Sequence, residues 1–79
     1  MLSSLNIRAA RPEDQRAIER LALLDDSRRP SGEILVAEAG DELVAALPVG
    51  GGRAVADPFR PTAEAVELLS LRACQLRHV

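Results

Sequence analysis

The spacing of apolar and polar positions changes along the chain, and each change marks an element. Leu5 and Ile7 alternate with Asn6 and Arg8, the two-residue period of a half-buried strand, which predicts a short strand at a sheet edge. After Arg11 the spacing becomes helical. Ala17, Ile18, Leu21 and Leu24 form one stripe, Pro12 stands at a first helical position, and Glu13 and Asp14 lie in the first turn. A helix from about Pro12 to Asp25 follows, ended by the turn formers of "DDSRRPSG". Two apolar runs, Ile34 to Ala37 and Leu43 to Leu47, then flank Gly40-Asp41. Glycine at the first central position suits the mirror-image turns that match strand twist, so a hairpin is predicted, closed by Pro48, which has no N–H for a ladder. "GGGRAVADPF" reads as a glycine turn and a short third strand, with Ala54 and Ala56 on one face and Val55 on the other. The last helix carries Ala65, Val66, Leu69, Ala73 and Leu76 on one face, widened by Leu68.

The predicted order is strand, helix, strand, strand, strand, helix: an α+β fold in which two helices pack on a small antiparallel sheet, all in a single domain over 1–79. A chain of 79 residues has little core to draw on. That core is almost wholly aliphatic, since Phe59 is the only aromatic residue. A small core supplies about 3–5 kcal/mol by itself, so a homodimer or a protein partner is the expected source of further stability.

Charge and cysteine content narrow the function classes. The formal charge is −2, and all ten basic residues are arginines scattered among twelve carboxylates. With no basic run and one aromatic ring, binding to nucleic acid is disfavoured. No apolar run reaches the roughly 20 residues that cross a bilayer, and the first residues lack a signal-peptide core, so neither a membrane role nor export is expected. Cys74 is the only cysteine, which precludes an internal disulfide and favours a cytoplasmic location.

The strings "IRAARPEDQRAIERLALLD" and "ILVAEAGDELVAAL", with a further strand leading into a long helix, resemble the first part of a GNAT-type N-acetyltransferase. The resemblance covers nearly all of the chain and implies a partial GNAT fold. In that family the junction between the further strand and its helix binds the coenzyme A pyrophosphate through a glycine-rich stretch of the type Q/R-x-x-G-x-G/A, whose N–H groups converge on the anion. The matching stretch here is "DPFRPTAE", and it has no glycine. Pro58 and Pro61 each remove an N–H, Asp57 adds negative charge, and Phe59 adds bulk. The strands that follow this helix in the family have no counterpart in the sequence. Arg60 with the amides of Thr62 and Ala63 forms the one candidate for holding a phosphate, against a plainer reading in which Pro61 opens the helix and Arg60 is solvated.

Other candidates read as structural. Gly50-Gly51-Gly52 and Arg53 stand between two strands, not between a strand and a helix, so they are expected to form a turn and not a phosphate loop. Cys74 has the features of an idle thiol on the less apolar side of its helix, beside Leu71. One cysteine and one histidine, His78, cannot assemble a metal site. Carboxylate pairs such as Asp25-Asp26 and Asp41-Glu42 fall in turns, where solvation explains them, and no catalytic residue is assigned.

Two functional expectations follow. The first is an acetyltransferase-like module without catalysis or cofactor, acting by self-association or through a protein partner, with "RAVADPF" as an open strand edge and Leu71 on the outer side of the last helix. The second is an acetyl-CoA-dependent N-acetyltransferase with an atypical coenzyme junction at Arg60, Thr62 and Ala63.

Overall fold

The computed structural model describes residues 5–28 and 30–77. His78 therefore lies outside the described residues. The chain forms strand β1 (Leu5–Ala9), a 3-10 turn (Pro12–Asp14), helix α1 (Gln15–Leu24), strands β2 (Ile34–Ala39), β3 (Glu42–Pro48) and β4 (Val55–Ala56), and helix α2 (Ala63–Arg77). The strands make one antiparallel sheet in the order β1-β2-β3-β4, so the predicted α+β architecture and element order hold.

The two helices lie on opposite faces of the sheet, and strand alternation decides what each covers. Ile34, Val36, Leu43, Ala46 and Val55 face α1, meeting Ile18, Leu21 and Ala22. Leu35, Ala37, Val44, Ala45 and Leu47 face α2, meeting Ala65, Leu69 and Ala73. Leu5 and Ile7 join the α2 side, as do Ala54 and Ala56, while Val55 joins the α1 side. The strand faces read from the sequence are thus the observed ones. A β-bulge breaks the register between Ala37 and Glu38: Ala37 pairs with Ala45, Glu38 with Leu43, and Val44 is the extra residue. The bulge lets Val44 and Ala45 serve the same layer although they are adjacent in sequence.

Local chemistry sets the element ends. Gly40 has φ +65° and Asp41 is not left-handed, the sign pattern of a type II′ turn, which glycine enters without a Cβ penalty. Helix α1 ends on Asp26 at φ +50°, with Ser27 N–H donating to Ala22 O at 2.9 Å and Asp26 N–H to Leu23 O at 3.2 Å, a Schellman closure built without glycine. The stripe of α1 differs at one place: Ala22 is buried, whereas Leu24 is exposed, because it projects to the side of the face that Ile18, Leu21 and Ala22 bury. On α2, Leu68 and Leu76 likewise lie outside the buried set, because Ala65, Leu69 and Ala73 alone fill the narrow contact.

The two sheet edges are unlike. The edge expected at "RAVADPF" is a strand of two residues and is closed: the Ala56 amide, which points away from β3, donates to the Asp25 carboxylate at 3.3 Å, and Pro58 has no N–H. At the other edge, Ala10 N–H donates to Ile34 O at 2.8 Å, which places Arg8 and Asn6 in hydrogen-bonded positions on the register and turns the Ile7 N–H and C=O outward. Among the described residues the open edge is therefore β1. Asp25→Ala should free the Ala56 amide, costing about 1 kcal/mol; amide exchange at Ala56 should accelerate, and unchanged exchange would show that the carboxylate gives no protection.

Candidate functional site

The β4–α2 junction is a turn organised by Asp57. Its Oδ1 accepts from the Phe59 N–H at 2.9 Å and its carbonyl accepts from the Arg60 N–H at 3.3 Å, an Asx-type closure that aspartate favours. Asp57 N–H donates to Val44 O at 3.0 Å and fixes the turn to the sheet. Phe59 is 81% exposed, so it does not anchor the corner. Helix α2 begins at Ala63, and the Thr62 carbonyl takes the first helical bond from Val66 N–H at 2.9 Å. Thr62 is therefore the N-cap and Pro61 precedes it, so the helix opens two positions later than a start at Pro61.

The three candidate coenzyme residues lie close together in the chain, with the carboxylates of Glu42 and Glu64 beside them. The Arg60 guanidinium is paired with the Glu42 carboxylate from the hairpin. Arg60 and Ala63 line an open hollow of about 370 Å³ together with Leu5, Ala39, Val44, Pro61 and Glu64; Thr62 is not part of the lining. A phosphate entering there would displace Glu42 from Arg60 and meet a second carboxylate, both of which oppose it. The amides at the start of α2 supply the usual helix N-terminal polarity and nothing more selective.

The densest polar constellation lies elsewhere and was not anticipated. Asp14 is the one buried charged residue among the described residues, and Arg8 reaches it with two donors, Nη1 to Oδ2 at 2.7 Å and Nη2 to Oδ1 at 3.1 Å. The same guanidinium meets Glu38 through Nε to Oε1 at 3.1 Å and Nη2 to Oε2 at 3.2 Å, and Nη1 also donates to the Ala9 carbonyl at 3.1 Å. All five N–H donors of Arg8 thereby find acceptors. Asp14 Oδ2 accepts from the Arg11 N–H at 2.7 Å, closing the 3-10 turn, and Asn6 Nδ2 donates to Glu38 Oε1 at 3.2 Å. Hydrogen bonds from Arg8 hold the Asp14 carboxyl down at about 2 and lower Glu38 as well, with Asn6 adding to the latter; Asp14 in turn raises Arg8. The cluster joins β1, the 3-10 turn and β2. With every Arg8 donor satisfied, it works as a brace.

Two surfaces remain. The glycine loop connects β3 and β4, as its sequence position implies, with Gly51 at φ +114° and Gly52 at φ +129°. It borders an open cleft of about 450 Å³ that Arg28, Arg53, Ser27 and Ser31 also line. On the outer side of α2, Leu71 is 61% exposed, Leu68 is 37% exposed, and both border a shallow hollow of about 600 Å³ together with Val66 and the exposed, free Cys74. Among the described residues no group of three or more His, Cys, Asp or Glu side chains could hold a metal, and no helix is long and apolar enough to cross a membrane. Comparison of the chain with protein-family models, with curated proteins and with solved structures gives no match.

Proposed function

We propose that this protein is a non-catalytic acetyltransferase-like module that acts by associating with a second copy of itself or with another protein. The observation that carries the reading is the set of leucines that α2 leaves exposed, Leu68 and Leu71 together with Leu76 on its last turn, on a domain too small to leave apolar area in water without cost. The junction supports the absence of catalysis, since Arg60 is already neutralised by Glu42. The exposed single thiol suits a reducing compartment, and we place the module in the cytoplasm. Neither nucleic acid nor membrane is among the proposed partners.

The second reading, an acetyl-CoA-dependent N-acetyltransferase, rests on the sequence resemblance and would use Arg60 with the Thr62 and Ala63 amides on the coenzyme pyrophosphate. The expected result is that acetyl-CoA at millimolar concentration gives neither heat in calorimetry nor a thermal shift. A saturable shift that disappears in Arg60→Ala would replace the first reading with the second.

A further inference from the structure

The association proposed above leaves its partner open, and α2 carries a feature that chooses one. Glu64, Leu68 and Arg72 recur at intervals of four and form one row along the helix, with Leu71 beside it, three positions beyond Leu68. The row reads acidic, apolar, basic. Glu64 has no ion-pair partner among the described residues, and the Arg72 guanidinium donates only to the neutral Gln75 side chain, at 3.2 Å. Both charges are thus available to a partner.

The row lies on the flank of α2 that overlooks β1. Glu64 shares its hollow with Leu5 and Ala39, whereas Ser70 and Arg77, on the opposite flank, share theirs with Leu47, Pro48 and Gly51. The accessible flank of the helix and the open edge of the sheet are therefore neighbours.

We infer that the partner is a second copy of this chain, packed with its α2 antiparallel to the first about a two-fold axis near Leu68. An isologous interface must be complementary to itself, and this row is so in one direction only. Antiparallel helices bring Leu68 against Leu68 of the other copy, with Glu64 opposite Arg72 on both sides of the axis. Parallel helices would set Glu64 against Glu64 and Arg72 against Arg72. Antiparallel packing also aligns the helix dipoles favourably. Four side chains do not fill the roughly 800 Å² per partner of a standard interface, so the contact extends from the row over Leu71 on one side and towards the β1 edge on the other.

This inference rests on the associative reading, and its test separates the two. The mass of the full chain is measured by light scattering and by sedimentation across the micromolar range, with helicity followed by circular dichroism. The wild type should be a dimer. Glu64→Arg and Arg72→Glu should each weaken it about tenfold or more, because each places two like-charged pairs across the axis. The double variant E64R/R72E should recover the dimer, and an equimolar mixture of the two single variants should form a heterodimer. Leu68→Asp should give a folded monomer. A wild type that stays monomeric, or a dimer indifferent to these changes, overturns the inference while leaving association with another protein in place. Acetyl-CoA binding that needs Arg60 would instead remove the reading beneath it.

Discussion

Leu69→Ala should lower the stability by about 3 kcal/mol, the usual cost of emptying a large aliphatic site that its surroundings cannot refill. Leu69 is fully buried, and the other buried residues of α2, Ala65 and Ala73, are too small to hold the helix on the sheet without it. Ordinary stability of roughly 0.05–0.15 kcal/mol per residue makes this a large share of the total. The thermal midpoint should therefore fall by about 10–20 °C in a chain of this size. Leu23→Ala removes the same atoms from a residue that is 81% exposed, and should change stability by less than about 0.5 kcal/mol. Equal effects of the two substitutions in chemical denaturation would contradict the packing of α2.

Asp14→Ala should cost about 2–3 kcal/mol, for a different reason. The Arg8 side chain is 16% exposed and that of Asp14 10%, so removing the carboxylate strands much of a desolvated guanidinium and frees the Arg11 amide as well. Arg8→Ala should be at least as damaging, since it leaves Asp14 and Glu38 without their shared cation. Acid unfolding reports the same contact. The Asp14 carboxyl is held at about 2 in the folded protein against an ordinary 3.8, so its contribution is complete above pH 4 and is lost as the pH falls towards 2. Glu38 is lowered too and acts in the same direction. In a pH series of denaturation midpoints the wild type should lose stability across that window, and Asp14→Ala should lose distinctly less. Parallel curves would show that the brace is not a source of stability.

The parts of the fold that the sequence revealed are those fixed by local rules. The hairpin was visible because Gly40-Asp41 sits between two apolar runs, and the strand faces because alternation is a property of the backbone. The closure of α1 was hidden, since its left-handed residue is Asp26 and not a glycine. Which helix lies on which face was also hidden, because a stripe records that a helix is buried and not against what. The bulge at Val44 depends on a register that no single strand specifies. The Arg8 brace needed that register too: Arg8 and Glu38 come together only when Asn6 lies opposite Glu38. A signal was present in Glu38 itself, a charge closing the otherwise apolar run "ILVAEA". At the coenzyme-type junction the absence of glycine was legible, but the pairing of Arg60 with Glu42, eighteen residues away, was not.

The inequality of the two sheet edges bears on how far any self-assembly could grow. Adding strands at both ends of a sheet builds a ribbon without limit, the route by which small β-rich domains turn into fibrils. Here the β4 side offers no template, with its outward amide held by Asp25 and a proline next in line. Growth from β1 is thus confined to one direction and stops when two such edges have met. A protein built this way is protected from polymerising by the end of its first helix, and Asp25, which touches no candidate site, is the residue to watch for a gain of aggregation.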